Sequence, residues 1–436
     1  MAFFKQPIRL YMSLFLATTL IGTLLLSLPF TGRKPITLID AMYVATSAFT
    51  VTGLSTVDVS TQFNIWGDVV IMLLIQIGGM GIVTVSMLLL IMTQRHISYK
   101  NNELLKFQFN IEHLGAFHHL LALVFYFTVI FETLGTALLA LEFVPAFGWS
   151  KGLFISMFTA VSAFNNAGFS LFPDNLMHYV NHPAVNIVVA FLIIMGGIGY
   201  VVLYDLITTR KLKKLQLHSK VTLIMTTLLL IVGTLFYFVL ESHHSLKGMS
   251  IGNQWLAAFF QATSARTAGF NTVDMHLLSP STMIFMMCLM FIGAGPISAA
   301  GGIKVTTFAV VVLFISNTLR GNQYIRLLNH SIDMKQAHKA LAITLSAIGF
   351  VVTIIFSFSI VEPNLSLPDV AFEVVSAFGT VGLSTGISTS YGTLGKICII
   401  ITMIVGKIGI LTLLTIFQKQ TTPHARYHYS KGQLFL

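Results

Sequence analysis

One phrase recurs four times along the chain: Ser47-Ala-Phe-Thr-Val-Thr-Gly53-Leu, Ser162-Ala-Phe-Asn-Asn-Ala-Gly168-Phe, Ser264-Ala-Arg-Thr-Ala-Gly269-Phe and Ser376-Ala-Phe-Gly-Thr-Val-Gly382-Leu. The four glycines lie 115, 101 and 113 residues apart. Each phrase ends a moderately apolar segment of about 12 to 15 residues, which is too short to cross about 30 Å of hydrocarbon as a helix. The repeat therefore predicts four re-entrant segments that enter the membrane and return.

The composition is that of an integral membrane protein. Of the 436 residues, 55% are hydrophobic and 9% are charged, whereas about a quarter of the residues in an average soluble protein are charged. So few charges cannot form a water-soluble surface. Cys288 and Cys398 lie in apolar stretches without CxxC or Cys/His spacing, so we interpret them as packing residues and predict no transition-metal site.

Long apolar runs flank every phrase, so each unit has the order helix, re-entrant helix, loop, helix. The first helices are predicted near residues 10–30, 117–143, 221–241 and 338–361. The second helices are predicted near residues 66–93, 184–208, 280–317 and 394–418. This order predicts an all-α polytopic membrane protein with four pseudo-symmetric helix/pore-loop/helix repeats around one central pore. The predicted repeats are 1–94, 95–215, 216–325 and 326–418, with a cytoplasmic tail at 419–436.

The positive charges are unevenly distributed along the chain. The net charge is +10, and 17 of the 25 Lys and Arg residues lie in the N-terminus, in three loops (94–116, 210–220, 318–339) and in the tail. Because positive residues concentrate on the cytoplasmic side of membrane proteins, both termini are predicted to be cytoplasmic in a cell (plasma) membrane. We expect membrane lipid around the chain and no nucleic-acid partner.

The re-entrant segments carry signals for a helix start. Asp40 and Asp369 each lie seven residues before a Ser-Ala pair, where an N-cap acceptor satisfies free backbone amides. The carboxyl ends of these helices then point inward, and their partial negative charge stabilises a cation. Gene duplication alone also produces repeats, but the repeated glycines break the helical backbone at membrane depth. Non-helical backbone is tolerated there only where it is buried or lines a watery cavity.

Glycine in each phrase suits a cation filter. Filters for potassium replace water with backbone carbonyl oxygens, and glycine adopts positive φ without the steric penalty of a Cβ. A single chain that supplies four glycines, at 53, 168, 269 and 382, closes a ring without a tetramer.

On these phrases the chain resembles the Ktr/Trk/HKT superfamily of potassium transporters, and most closely the KtrB-type membrane subunit, over nearly its whole length. The third phrase, with Arg266 and Gly269, is the most family-specific. The resemblance implies that K⁺ binds at a filter of glycines and the carbonyls just before them: Val51, Thr52, Gly53, Asn166, Ala167, Gly168, Thr267, Ala268, Gly269, Thr380, Val381 and Gly382. Some sodium-preferring plant relatives have serine at the first glycine, so four glycines imply potassium selectivity.

The second helix of the third repeat is interrupted by Gly293-Ala-Gly-Pro-Ile-Ser-Ala-Ala-Gly-Gly302-Ile-Lys304. Its length of about 38 residues is nearly twice that of one span, and proline and glycine stop a helix. We predict two half-helices joined by an intramembrane loop, which the resemblance identifies as a gate; a mere kink is the alternative. The phosphate-loop spacing GxxxxGK[ST] is absent. The predicted gate residues are Gly293, Gly295, Pro296, Ser298, Gly301, Gly302, Lys304 and Lys407.

Two lysines accompany the predicted gate. A lysine near mid-membrane costs about 2.5 to 3.5 kcal/mol, so Lys304 is expected to face water or a partner carboxylate. Lys407 stands where the family usually has arginine in a Gly-Arg-x-Gly-Pro phrase, and lysine cannot make the planar bidentate contact of arginine. We expect Lys407 to raise the barrier to ions and to anchor the loop; snorkelling to the inner surface is the alternative.

Three other features have structural interpretations. Arg266 is expected to brace its loop by binding carbonyls or Glu373, and Glu132 is expected to hydrogen-bond between helices. The glycine clusters beyond each phrase, such as Gly78-Gly79-x-Gly81, predict close helix approach at the inner pore wall.

Partners and alternatives follow from the resemblance. It implies a homodimer above a cytoplasmic ring of RCK-type (KtrA-like) nucleotide-binding regulatory subunits, with no cofactor in this chain and Na⁺ as an activator or a coupling ion. A cation-coupled secondary transporter is an alternative, but it predicts paired discontinuous helices, and only one broken spanning helix is expected. A sodium-permeable relative is the closest competitor. No nucleophile–base or paired-carboxylate constellation indicates an enzyme.

Overall fold

The structure is a computed structural model that describes residues 7–81, 117–321, 324–327 and 330–410. The described part contains fifteen α-helices and a single two-stranded antiparallel hairpin. The predicted basic loop 94–116 and the predicted tail 419–436 lie outside the described residues, as do the far ends of two predicted second helices.

The helices occur in four successive groups. The first group contains α1 (Pro7–Ser27), α2 (Leu38–Thr50), α3 (Val59–Gln62) and α4 (Ile65–Met80). The second contains α5 (Phe117–Phe147), α6 (Trp149–Phe164), α7 (Pro183–Ile198) and α8 (Tyr200–Thr209). The third contains α9 (Leu217–Glu241), α10 (Ile251–Ser264), α11 (Pro280–Phe291) and α12 (Val305–Leu319). After the hairpin of β1 (Ile325–Leu327) and β2 (His330–Ile332), the fourth contains α13 (Met334–Val361), α14 (Leu367–Gly379) and α15 (Thr393–Ile408).

Several described helices are long and apolar enough to cross a membrane. Three meet this requirement alone, namely α9, α13 and the stretch Ala122–Phe147 of α5, and the bent pair α7–α8 makes a fourth candidate. Lipid-facing residues such as Leu20, Ile231 and Phe356 are exposed on the outer helices, as expected when hydrocarbon is the solvent. The chain is therefore a predominantly helical membrane protein.

Four short helices, α2, α6, α10 and α14, follow the long first helices and have 13, 16, 14 and 13 residues. Unlike the outer helices, their carboxyl halves are almost completely buried. A 13-residue helix is only about 20 Å long, so none of the four reaches across a bilayer. They lie at the positions where the sequence predicts re-entrant segments.

The start signals of two short helices lie one turn earlier than predicted. Thr37 and Ser366, not Asp40 and Asp369, are the N-caps, and the two aspartates occupy the third helical position. Thr37 Oγ1 accepts from the backbone amide of Asp40 at 3.2 Å and donates to its carboxylate at 2.6 Å. The Thr37 hydroxyl thus caps a free amide of the first turn and is itself held by the Asp40 carboxylate, which explains why the hydroxyl residue precedes the acid.

The second helices are broken in more places than the sequence predicts. α7 and α8 meet at Gly199 with a bend of 95°, and α4 and α15 also end at glycines of the same conformation. These three glycines have φ of 85°, 101° and 87°, at Gly81, Gly199 and Gly409. Other residues rarely adopt this φ, so the helix stops there. The expectation that only one spanning helix is broken is wrong.

Glycines also let the second helices lie against the ends of the short helices. A Cβ added at Gly78, Gly196 or Gly406 would lie closer than 3.0 Å to the carbonyl oxygen of Phe49, Phe164 or Phe378, respectively. Each of these carbonyls belongs to the last turn of a short helix. Because these glycines have no side chain, the second helices can lie in direct contact with the last turns of the short helices.

Candidate ion-binding site

The four short helices end in the same backbone conformation. The residues two positions before the phrase glycines all lie in the left-handed region, with φ of 58°, 57°, 73° and 50° at Val51, Asn166, Thr267 and Thr380. The glycines themselves also have positive φ. Non-glycine residues rarely adopt such a conformation, so its recurrence at four corresponding positions marks a common backbone design. We call residues 51–53, 166–168, 267–269 and 380–382 the glycine segments.

The serine that opens each phrase holds the backbone of its glycine segment. The serine carbonyl oxygen accepts from the amide of the residue before the glycine at 2.7 to 2.9 Å in the pairs Ser47–Thr52, Ser162–Ala167, Ser264–Ala268 and Ser376–Val381. In the first and fourth segments the serine hydroxyl also accepts from the glycine amide, at 3.0 and 3.1 Å. The hydroxyl contacts account for serine in the first and fourth phrases, whereas the carbonyl contact, which any residue can make, fixes the backbone in all four.

The glycine segments contact one another in chain order and form a closed ring. A Cβ added at any of the four glycines would lie closer than 3.0 Å to a carbonyl oxygen of the next segment. The pairs of glycine and carbonyl residue are Gly53–Ala167, Gly168–Ala268, Gly269–Val381 and Gly382–Thr52. The last pair returns to the first segment, so the structure brings all twelve predicted filter residues together around one centre.

This ring is a chemically distinctive environment. Thr52, Ala167, Ala268 and Val381 are completely buried, and their carbonyl oxygens lie at the contacts between neighbouring segments. The carboxyl ends of four short helices converge there and add partial negative charge. Uncharged backbone oxygens in such an arrangement are suited to a monovalent cation that has lost its water.

The loop of residues 292–304 joins α11 to α12 and reaches across to two other helix groups. Ile292 and Ile303 form a parallel β-bridge, so the two ends of the loop lie side by side. On one side, the amide of Gly295 donates to Gly197 O at 2.8 Å and the amide of Tyr200 donates to Ile297 O at 3.0 Å. These contacts attach the loop to the break between α7 and α8.

The other side of the 292–304 loop touches a glycine segment directly. The amide of Gly301 donates to Thr380 Oγ1 at 3.0 Å, and the amide of Gly302 lies 3.4 Å from its acceptor, Gly406 O. A Cβ at Gly301 would collide with the Thr380 side chain. The loop therefore packs directly against the fourth segment, and this contact requires glycine.

Both lysines of the predicted gate bind this loop. Lys407 Nζ donates to Ala299 O and Lys304 Nζ donates to Ala300 O, each at 2.6 Å. The acceptor of Lys304 is a backbone carbonyl of the loop, whereas water or a carboxylate was expected. The contact of Lys407 favours the anchoring interpretation over snorkelling, because its ammonium group is on the loop.

The predicted pairing of Arg266 with Glu373 is wrong. Arg266 is buried, and its Nη2 lies 3.4 Å from Thr226 Oγ1 on α9. Glu373 instead accepts hydrogen bonds from Ser384 and Ser388. The two residues belong to different helix groups, and Arg266 Nε is buried without a hydrogen-bond partner among the described residues.

Glu132 links two helices, as a hydrogen-bonding role predicts. Its carboxylate accepts from Asn165 Nδ2 at 2.8 Å, and Asn165 directly follows α6. The same amide group donates to Gln76 Oε1 at 3.2 Å. Glu132 therefore helps to hold the carboxyl end of α6 in place.

Sequence reasoning missed one ion pair completely. Lys396 Nζ on α15 lies 2.6 Å from Asp40 Oδ1 on α2, and the same oxygen accepts from Thr56 Oγ1 at 2.6 Å. This pair joins the first helix group to the fourth. The available signal is that Lys396 is the single charged residue between Glu373 and Lys407, but its partner lies 356 residues away along the chain.

Comparison with known proteins places this geometry in a family. The family model described as TrkH, cation transport protein, matches residues 7–428. The chain belongs to this family. Its members are cation transport proteins and not an enzyme family. The match covers all four glycine segments and the 292–304 loop.

Individual relatives support the same assignment. The chain is 42% identical over 434 residues to Ktr system potassium uptake protein B of Bacillus subtilis, and this match covers 99% of this chain and 97% of that protein. It is 34% identical over 438 residues to potassium/sodium uptake protein NtpJ of Enterococcus hirae, covering 99% and 97%. The crystal structure of the potassium transporter TrkH from Vibrio parahaemolyticus matches with a TM-score of 0.74 at 17% identity over 93% of this chain and 84% of that chain, which supports the fold.

Proposed function

We propose that this protein takes up K⁺ across the cell membrane and that the four glycine segments are its selectivity filter. The observation that carries the proposal is the closed ring of glycines, in which each glycine lies against a carbonyl oxygen of the next segment. The 42% identical relative is named a potassium uptake protein, which supports K⁺ as the ion. Backbone oxygens replace the water shell of the ion, so it enters without a large dehydration penalty.

Four pseudo-symmetric repeats around one pore, with bounds at 1–94, 95–215, 216–325 and 326–418, account best for the four helix groups. Each repeat supplies one glycine segment and one short helix whose carboxyl end faces the ring. The concentration of Lys and Arg in alternate loops supports cytoplasmic termini. In this arrangement the ion passes through the ring along the axis of the molecule.

The 292–304 loop is the proposed gate. It extends from the break between α7 and α8 to Thr380 of the fourth glycine segment, so it obstructs the route on one side of the ring. Lys304 and Lys407 bring positive charge to the same place, and a cation repels a passing cation strongly in a low-dielectric region. Opening requires the loop to move and the lysine contacts to break.

Regulation is proposed to come from other subunits. The 42% identical relative is named a member of a Ktr system, which supports a separate partner protein. We propose a homodimer of this chain on a cytoplasmic ring of RCK-type nucleotide-binding subunits. Na⁺ dependence is included in the proposal because another relative is named a potassium/sodium uptake protein.

A cation-coupled or sodium-permeable transporter is the second candidate. The observation that favours it is the number of discontinuous helices, since α7–α8 is bent by 95° and α11–α12 is interrupted by a 13-residue loop. Coupled transporters place such breaks around a midplane site. The ring of four glycines favours the filter, because a coupled site needs no fourfold set of backbone carbonyls.

Growth of a potassium-uptake-deficient bacterial strain tests the proposal. We expect cells that express this chain to grow on limiting K⁺. Comparison of their growth with and without Na⁺ in the medium reveals any sodium dependence. Measurement of K⁺ and Na⁺ uptake in the same cells separates the two candidates. Accumulation of Na⁺ in preference to K⁺, or failure to restore growth by a chain that reaches the membrane, would contradict the potassium assignment.

A further inference from the structure

Glu373 is a buried carboxylate that the proposed filter and gate do not use. It lies on α14, three residues before Ser376, and its exposed fraction is 0%. Its two oxygens accept hydrogen bonds from Ser384 Oγ and from Ser388 Oγ, the latter at 3.1 Å. Within the described residues, the ion pairs do not include Glu373. A buried carboxylate is retained only where its hydrogen bonds have a purpose in the fold or in the function.

These hydrogen bonds fix the chain on the far side of Gly382. Ser376 Oγ accepts from the amide of Gly382 at 3.1 Å, and Glu373 holds Ser384, two residues later. Ser384 is fixed further, because its hydroxyl accepts from the amide of Gly386 at 2.9 Å and lies 3.2 Å from Ser388 Oγ. One face of α14 therefore holds the backbone on both sides of Gly382.

The third helix group contains a corresponding arrangement built from a neutral residue. Gln261 on α10 lies three residues before Ser264, as Glu373 lies three residues before Ser376. When the side-chain amide of Gln261 is oriented with its oxygen towards these donors, the oxygen accepts from the backbone amides of Thr272 and Val273 at 2.9 and 3.2 Å. These two residues follow Gly269. The same position of the short helix thus holds the same part of the chain, and a side-chain amide is sufficient.

The first two groups do not use this position. Val44 is apolar, and the hydroxyl of Thr159 is buried without a hydrogen-bond partner among the described residues. In the first group the carboxylate of Asp40, one turn earlier, holds Thr56 instead. The arrangement at Glu373 and Gln261 is therefore a feature of two neighbouring segments and not a general requirement of the fold.

We propose that Glu373 is a positioning residue for ion selectivity, which keeps the Gly382 segment in the geometry that fits K⁺ by hydrogen bonding Ser384 and Ser388. Gln261 has the same role for the Gly269 segment. The inference rests on the proposed function, because it needs the glycine segments to be the filter. The hydrogen bonds of Glu373 hold the segment in place, and the negative charge of its carboxylate is not required.

Flux of K⁺ and Na⁺ through the purified full-length protein in liposomes tests the proposal. Glu373→Ala removes both acceptors, so we expect the K⁺/Na⁺ flux ratio to fall about tenfold, which corresponds to about 1.4 kcal/mol of discrimination. Glu373→Gln keeps the size and one acceptor, and its ratio is expected to stay near the original value. Ser384→Ala is expected to lower the ratio in the same direction, and to do so even if Glu373→Ala fails to fold.

Glu362→Ala is the matched control. Glu362 accepts from the amide of Gly392 at 2.6 Å and so holds the other end of the same loop, away from the glycine segment. Its loss should leave the flux ratio unchanged. An equal fall of the ratio in this control would assign the effect to loop stability and overturn the proposal.

The remaining outcomes are also decisive. A folded Glu373→Ala protein with the original ratio overturns the inference while leaving the filter intact. Impairment of Glu373→Gln as severe as that of Glu373→Ala shows that charge matters, and it overturns the hydrogen-bonding role. Absence of any K⁺ flux through the original protein would instead contradict the proposed function itself, so the two failures are distinguishable.

Discussion

Lys407 Nζ lies 2.6 Å from the carbonyl oxygen of Ala299, and this contact ties α15 to the loop that joins α11 to α12. The adjacent carbonyl, that of Ala300, accepts from Lys304 Nζ at 2.6 Å. Two ammonium groups thus hold consecutive carbonyls of one loop. Each such bond, once broken, leaves a partly buried charge without its acceptor, so the pair stabilises the position of the loop.

Loss of the Lys407 ammonium should open the proposed gate. A charged hydrogen bond contributes about 1.5 to 3 kcal/mol, so Lys407→Met is expected to raise maximal K⁺ uptake by about tenfold. Lys407→Arg keeps the charge and should change uptake little. Initial uptake rates in cells with matched protein amounts provide the measurement. Lys247→Met, at an exposed loop lysine, is the control, and a Lys407→Met rate equal to that of the control would refute anchoring.

Gly53→Ser should weaken discrimination between K⁺ and Na⁺. A Cβ at this position would lie closer than 3.0 Å to Ala167 O, and φ is 96°, so the first and second glycine segments must move apart. The K⁺/Na⁺ uptake ratio measures the effect, and a fall is expected. Gly252→Ser is the control, because no atom lies within 4 Å of a Cβ there. Unchanged selectivity in a folded Gly53→Ser protein would argue against the filter assignment.

Deletion of the gate loop should increase ion flux. Ile292 and Ile303 are bridge partners, so removal of residues 293–302 leaves two ends that are already neighbours and can be rejoined. Without the loop, the contacts to Thr380 and Gly197 disappear and the route on that side of the ring is free. Stopped-flow measurement of K⁺ entry into liposomes should show faster flux. A deletion variant that folds and conducts no faster would mean that the loop is not a gate.

The Asp40–Lys396 pair should stabilise the protein. Lys396→Ala leaves a mostly buried carboxylate with only hydroxyl donors, and the expected loss is about 2 kcal/mol of unfolding free energy. The thermal unfolding temperature in detergent measures this change. The exchanged pair, Asp40→Lys with Lys396→Asp, should recover part of the loss, whereas Lys34→Ala at an exposed site should change little. Equal unfolding temperatures for Lys396→Ala and Lys34→Ala would show that the ion pair is dispensable.

The sequence predicts the helix groups well because hydropathy and length are strong signals in a membrane protein. The predicted first helices near 117–143, 221–241 and 338–361 agree with α5, α9 and α13 to within four residues at each end. The interruption around Pro296 was also predicted, since proline and glycine break a helix whatever its surroundings. The structure additionally places the four phrase glycines side by side.

Other features depended on information that the sequence does not carry. The bend at Gly199 was missed because hydropathy continues without interruption across it, and Gly-Gly-x-Gly equally suits close helix packing. Carbonyls or Glu373 are the acceptors that the sequence suggests for Arg266, but the fold places Glu373 with Ser384 and Ser388 and leaves Arg266 a contact to Thr226. The acceptors of Lys304 and Lys407 were not predictable, since every residue has a backbone carbonyl and only the fold selects Ala299 and Ala300.

The separation of Asp40 and Lys396 along the chain has a consequence for biosynthesis. Synthesis at about 5 to 20 residues per second takes roughly 20 to 70 s to cover such a distance, so α2 enters the bilayer long before its counter-ion exists. During that interval the carboxylate relies on Thr37 and Thr56 alone. The nascent chain must keep its first quarter from misassociating until its last quarter emerges, and ribosome-bound fragments that end before α15 should be the forms most readily recognised by membrane proteases.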